Sequence, residues 1–246
     1  MSRDAPTHPE ERFDARTVVV TGVGHAGQVG EAVAREFARR GASVAIIDRD
    51  LALAEERAAA LRAEAFDVRA YACDLTDASA TTAVARRIAN AGGERIHALA
   101  NIAGGFAMSG PVVDSDPAVL QRQLSINLGS AYGATRALLP FIRTARGAIV
   151  FMAAAAVLPG SKVAGMSAYI AAKAGVVALM RCVAQEEHGS GVRANALAPT
   201  AIRTATNLSS MGDKFPYVER ESVAAMVVFL CSTAAANVNG QVIELA

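Results

Sequence analysis

From residue 17 onward, short β-branched runs alternate with longer Ala-, Arg- and Glu-rich stretches of helical period. Strand side chains alternate between two faces, whereas a helix returns to one face every three or four residues, so this alternation separates the two kinds of element. The strand segments are residues 17–22 (TVVVTG), 42–48 (ASVAIID), 68–73 (VRAYAC), 96–101 (IHALAN), 147–152 (GAIVFM), 192–197 (VRANAL) and 240–245 (GQVIEL). Strand and helix in turn predict an α/β fold: a doubly wound, parallel seven-stranded sheet with helices on both faces. It is expected to form a single domain over residues 16–246, after a flexible N-terminal arm over residues 1–15.

The segment EAVAREFARR is amphipathic through Val33 and Phe37 and stops at Gly41, which suits a left-handed helix terminus. Residues 117–143 and 167–188 form the two long, apolar-rich helix segments. Helices this apolar call for a second covering surface, either subunit contacts or the core itself.

Composition narrows the classes of function. A chain of 246 residues buries one substantial core. No uninterrupted apolar run approaches the roughly 18 to 20 residues of a membrane-spanning helix, so no membrane partner is expected. The formal charge is +1 with acids and bases interspersed, which offers no basic face for nucleic acid. Cys73, Cys182 and Cys231 lack metal-ligand spacing and read as small core hydrophobes in a reducing compartment, with no metal site. The polar start, MSRDAPTHPEERFDAR, lacks the apolar segment of a secretory signal, and a cytoplasmic protein is expected.

Immediately after the first strand comes Thr21-Gly22-Val23-Gly24-His25-Ala26-Gly27-Gln28-Val29-Gly30, opening into the first helix. Glycines let backbone approach a pyrophosphate, and free amides at a helix N-terminus attract its charge. The acidic residue ending the second strand, Asp48, is placed to accept hydrogen bonds from adenosine ribose hydroxyls and to repel a 2′-phosphate. That favours NAD(H), while Arg49 beside it leaves NADP(H) open or is simply a solvated surface cation. Asp74, followed by Leu75 after the third strand, is placed to meet the adenine edge or to cap the next helix.

Tyr169-Ile-Ala-Ala-Lys173 puts a phenol and an ammonium four residues apart, on one face of a helix. A free tyrosine has a pKa near ~10 and needs a nearby cation to act as an acid/base at neutral pH. Lys173 can supply that charge.

Together the glycine-rich turn, Asp48, AlaAsnIleAlaGly at 100–104, Asn127 in SerIleAsnLeu, TyrIleAlaAlaLys and ArgAlaAsnAlaLeuAlaProThr at 193–200 resemble, in order, the short-chain dehydrogenase/reductase family with its Rossmann fold. The resemblance implies an oxidoreductase that interconverts a secondary alcohol and a ketone. Tyr169 would be the acid/base, Lys173 would hold the nicotinamide ribose and depress the tyrosine pKa, and Asn127 would order a water in the proton relay. It also implies that Asn101, Ala103 and Gly104 form the turn beside the adenosine and ribose, and that Ile202 and Thr204, after Pro199, contact the nicotinamide carboxamide. Each also has an ordinary structural reading: strand-end asparagine, turn glycine, core isoleucine, helix-capping threonine. A small-molecule substrate and a homo-oligomer, tetramer or dimer, complete what the family likeness implies.

Four departures from the family pattern stand out. Where the family places a serine after the fifth strand, this chain reads Phe151-Met152-Ala153-Ala154-Ala155-Ala156, with Ala154 at the serine's place. Losing one preorganised donor typically costs around 10²- to 10³-fold in rate. Ser161 and Ser167 are the nearest hydroxyls, and a longer loop carrying Ser161 inward is one replacement; a plain turn serine is the other reading. The glycine-rich turn is longer than the common form and contains His25, and Thr200 stands where the family has glycine. The lid between Thr204 and a helix starting near Glu219 is short. The alanine run keeps open a family-like scaffold without redox turnover: a cyclase, a dehydratase or a dinucleotide-responsive binding protein. A purely structural oligomer is the third reading, and it would bind no dinucleotide.

Overall fold

Residues 11–246 are described here in a computed structural model. The β-branched runs become the strands Thr17–Thr21 (β1), Ser43–Asp48 (β2), Val68–Ala72 (β3), Ala98–Asn101 (β4), Ala148–Met152 (β5) and Arg193–Pro199 (β6). Two short strands follow, Ile202–Arg203 (β7) and Val218–Glu219 (β8), and the chain ends in Val242–Leu245 (β9). Seven strands form one sheet in the order β3-β2-β1-β4-β5-β6-β9, every neighbouring pair parallel. β7 and β8 pair separately.

Alternate strand residues divide the core between the two faces of the sheet. Val18 and Val20 join the cluster that holds Phe37 of helix Val29–Arg39 (α1), Leu61 of Leu51–Ala63 (α2) and Val227 of Arg220–Cys231 (α8). Val19, one residue on, joins the opposite cluster with Ile88 of Ala78–Ala91 (α3), Leu138 of Ser130–Ala145 (α5) and Met180 of Ser167–Glu186 (α6). Parallel strands need crossover helices, which cover both faces and explain the nearly uniform apolarity of β1, β2 and β5.

The strand order turns back between β1 and β4. Beyond the carboxyl ends of those strands lies the crevice where open α/β sheets bind ligands. Here the two turns touch: Gly22, at φ +74°, would bring a Cβ within 2.7 Å of the Ala103 Cα. Thr21 ties them further, because its hydroxyl accepts from the amides of Ile102 and Ala103, each at 3.0 Å.

Several expectations are corrected. Residues 1–10 of the expected arm lie outside the described residues, but Glu11–Ala15 are held on the fold. Phe13 is fully buried edge-on against Phe37, and Glu11 accepts hydrogen bonds from the Thr233 and Ala234 amides. Cys73 and Cys231 are buried, whereas Cys182 is exposed on α6 rather than in the core. The single helix expected over 117–143 is Pro117–Gln123 (α4), a wider π-helical turn Leu124–Gly129, and α5. The Asn127 side chain donates to the Gln123 carbonyl four residues back, taking an acceptor of the regular ladder, and such wide turns recur at functional sites. α6 is long and apolar enough to pass for a membrane span by length and composition, yet its inner face packs on β5 and β6.

Candidate active site

Four segments meet at the crevice: the glycine-rich turn, the turn after β4, the π-helical turn and the first two turns of α6. Helical spacing stacks Tyr169 and Lys173 on one side of α6. The Lys173 ammonium is buried, lies 5.8 Å from the centre of the Tyr169 ring, and donates to the Met152 carbonyl at 2.8 Å. Gly104 is their neighbour: a Cβ there would come within 3.5 Å of Lys173 Nζ and 2.5 Å of Asn127 Oδ1.

Asn127 is buried and makes a clamp. Its Nδ2 donates to the carbonyl of Gly105 (3.0 Å) and to Gln123 Oε1 (3.0 Å), while its Oδ1 accepts from the Gly105 amide (3.2 Å). Phe106, fixed beside that clamp, meets Tyr169 edge to face at 5.0 Å. Tyr169, Lys173, Asn127 and Gly104 therefore come together.

Burial sets the electrostatics of the pair. Burial raises the Tyr169 pKa to about 12 and lowers that of Lys173 to about 8. Burial is the cause of both shifts: low-dielectric surroundings penalise phenolate and ammonium alike. At neutral pH Tyr169 is therefore protonated.

The glycine-rich turn is built around Asp48. A Cβ on Gly24 would meet Asp48 Oδ2 at 2.8 Å, so only glycine lets that carboxylate lie against the turn. Gly30 is equally constrained, its Cβ position lying 2.3 Å from the Gly22 carbonyl. Gly27, at φ +71°, gives its amide to Glu31 Oε2 at 2.7 Å. Arg49 is exposed.

Asp74 does not cap α3; Asp77 does, accepting from the Ser79 and Ala80 amides. Asp74 instead binds the amide and hydroxyl of Thr76, which lowers its pKa, and the Leu75 side chain is buried. Asn101 donates to the Thr135 hydroxyl at 3.0 Å and so ties β4 to α5, while its Oδ1 is buried without a partner among the described residues. Pro199 is buried at the end of β6. Ile202 pairs with Val218, and the Thr204 hydroxyl caps the lid helix Ala205–Met211 (α7) by accepting from the Asn207 amide. These residues reach the crevice through the lid: the Ala205 amide donates to the Gly27 carbonyl (3.2 Å), and Gln28 Nε2 to the Thr206 hydroxyl (3.0 Å).

Along the stretch after β5, Ala153, Ala154 and Ala155 are buried, with Ala154 in an extended conformation. The Ser161 hydroxyl donates to the Ala155 carbonyl at 2.9 Å, while Ser167 pairs with Ser109 at 3.0 Å.

A dinucleotide fits this arrangement. The Lys173 ammonium has three N–H donors, and Met152 is its acceptor among the described residues, leaving a buried cation with donors to spare for ribose hydroxyls. Asp48, whose partner is the Asp50 amide at 3.2 Å, keeps acceptor capacity against the turn.

Comparison with known proteins decides the family. The sequence profile of the short chain dehydrogenase family matches residues 16–214. The chain is a short-chain dehydrogenase. It is 34% identical over 245 residues to the D-threitol dehydrogenase of Mycolicibacterium smegmatis, covering 93% of this chain and 90% of that one. It is also 36% identical over 229 residues to the inactive 2-(S)-hydroxypropyl-CoM dehydrogenase 2 of Xanthobacter autotrophicus, covering 85% and 95%. The crystal structure of a short chain dehydrogenase from Mycobacterium smegmatis superposes with a TM-score of 0.83 at 31% identity, covering 95% of this chain and 92% of that one. As a short-chain dehydrogenase the chain is an oxidoreductase whose family takes a nicotinamide dinucleotide.

Reading the sequence alone misses Phe106, Met152, Thr21 and Glu31. Only Glu31 left a signal, an acid in the first turn of a helix, spaced to return to the amide of Gly27.

Proposed function

We propose that this short-chain dehydrogenase interconverts a secondary alcohol and a ketone with NAD(H), Tyr169 serving as the acid/base. The observation that carries the reading is the buried Lys173 ammonium beside the Tyr169 ring, with donors unused by the protein. A bound nicotinamide supplies or accepts hydride. The chain's residues do the rest: the protonated phenol gives its proton to a ketone oxygen, Lys173 holds ribose hydroxyls, and Asn127 fixes the wall at Gly105 and orders a relay water. Asp48 favours NAD(H) by repelling a 2′-phosphate, with NADP(H) accommodated only if Arg49 swings to it. The region 16–246 performs binding and chemistry as one unit. In this reading the protein works in the cytoplasm as a homo-oligomer, tetramer or dimer.

Titration with NADH and NADPH, followed by ketone reduction watched at the nicotinamide absorbance, tests this. NADH should bind more tightly, and Tyr169→Phe should abolish turnover while leaving NADH bound. Full turnover in that variant would end the proposal.

The buried methyl groups of Ala153–Ala155 favour a second reading: a scaffold that binds dinucleotide but performs no net redox, as a cyclase, dehydratase or binding protein. Substrate conversion with no change in nicotinamide absorbance would select it.

A further inference from the structure

The wall facing Tyr169 is apolar and rigidly built. Phe106 stands edge-on to the Tyr169 ring, yet 57% of its surface is open, as is 57% of Met108 two residues on. A large exposed hydrophobe on a loose loop means little, but this loop is pinned at both ends. Asn127 clamps Gly105 on both its amide and its carbonyl. At the other end the Ser109 and Gly110 amides donate to the Gly165 carbonyl at 2.9 and 3.1 Å. Gly165, at φ +75°, leaves room for the Met108 methyl, which a Cβ there would approach to 3.0 Å.

The serine hydroxyls of this loop and of the stretch 153–167 are already hydrogen-bonded. The Ser109 hydroxyl lies 3.2 Å from the Gly165 carbonyl, to which it can donate, and shares a hydrogen bond with the Ser167 hydroxyl. The Ser161 hydroxyl donates to the Ala155 carbonyl. Ala153, Ala154 and Ala155 offer only methyl groups, and the one charge, Lys162, is exposed to solvent. The Phe106 and Met108 side chains offer a chain of hydroxyls no hydrogen bond, whereas an apolar group would bury surface against them.

We infer that the substrate carries a hydrocarbon group, not further hydroxyls, beside its reacting carbon, and that Phe106 and Met108 select for it over a polyol; this rests on the secondary-alcohol reading of Tyr169.

Oxidation of cyclohexanol and of threitol, both secondary alcohols, distinguishes the two classes. With NAD⁺ saturating, kcat/KM for cyclohexanol should exceed that for threitol by about tenfold or more. Phe106→Ser should remove most of that preference through KM for cyclohexanol, with NADH affinity unchanged, and Met108→Gln, on the far side of the wall, should reduce it as well. Saturation-transfer NMR gives a readout without turnover: cyclohexanol should take up saturation from the wild type and lose it in Phe106→Ser. Preference for threitol overturns the inference while leaving the proposed function standing. Cyclohexanol bound through Phe106 but, like threitol, never oxidised supports the apolar wall and overturns the secondary-alcohol reading of Tyr169. An oligomer that dissociates on Phe106→Ser makes the wall a subunit interface and overturns the inference.

Discussion

Lys173 sits 5.8 Å from the centre of the Tyr169 ring, yet its hydrogen bond goes to the backbone carbonyl of Met152. The helix supplies the spacing of the pair, and β5 supplies the acceptor that holds the ammonium beneath the ring. Both groups are buried, so each resists its charged form.

That resistance makes stability depend on pH in a way that can be signed. Lys173 has a folded pKa of about 8 against an ordinary 10.5, so the unfolded chain binds more protons between those values and stability rises with pH there. Tyr169, raised from 10.0 to about 12, contributes stability that is present below pH 10 and lost as pH climbs to 12. Compared with Lys173→Met, the wild type should gain about 2 kcal/mol between pH 8 and 10 in urea titrations. Parallel curves for the two proteins would contradict the burial of this charge.

Asn127→Ala removes a buried clamp and strands the Gly105 amide, the Gly105 carbonyl and Gln123 Oε1. Unsatisfied buried groups cost roughly 1 to 3 kcal/mol each when water cannot reach them, so a loss of about 3 kcal/mol is expected. Hydrogen exchange should quicken at the Gly105 amide first. Unchanged protection there would mean that the clamp carries no weight.

The glycines of the turn should separate by mechanism. Gly24→Ala sets a methyl 2.8 Å from Asp48 Oδ2 and must push that carboxylate aside, which should weaken NADH binding about tenfold with little effect on melting. Gly22→Ala meets backbone at 2.7 Å from a left-handed φ of +74° and should instead destabilise the fold. Calorimetry on the two variants reads both effects, and equal melting losses would refute the distinction.

Ala154→Ser places a hydroxyl at a buried, extended position after β5. If this chain runs with a donor missing, ketone reduction should quicken by up to about 10²-fold. No change, together with a loss in Ser161→Ala, would assign the donor to Ser161.

The sequence by itself determined the seven strands, because β-branched runs bounded by glycine and polar turns cannot easily be anything else between helices. It also determined the register of Tyr169 with Lys173, since four residues on a helix set one side chain above the other. Even the stop at Gly41 was readable: its φ is +91°.

Tertiary structure alone decided the rest. Phe13 reads as part of a polar arm until Phe37 and the sheet enclose it, and Glu11 finds its partners at Thr233 and Ala234 near the other end of the chain. Asn127 breaks a helix whose periodicity looks continuous, because its side chain takes a backbone acceptor. The contacts of Phe106 with Tyr169 and of Lys173 with Met152 join segments well apart in the chain. Periodicity records which way a side chain faces on its own element; its partner across the crevice is fixed only when the sheet brings two distant loops to the same edge.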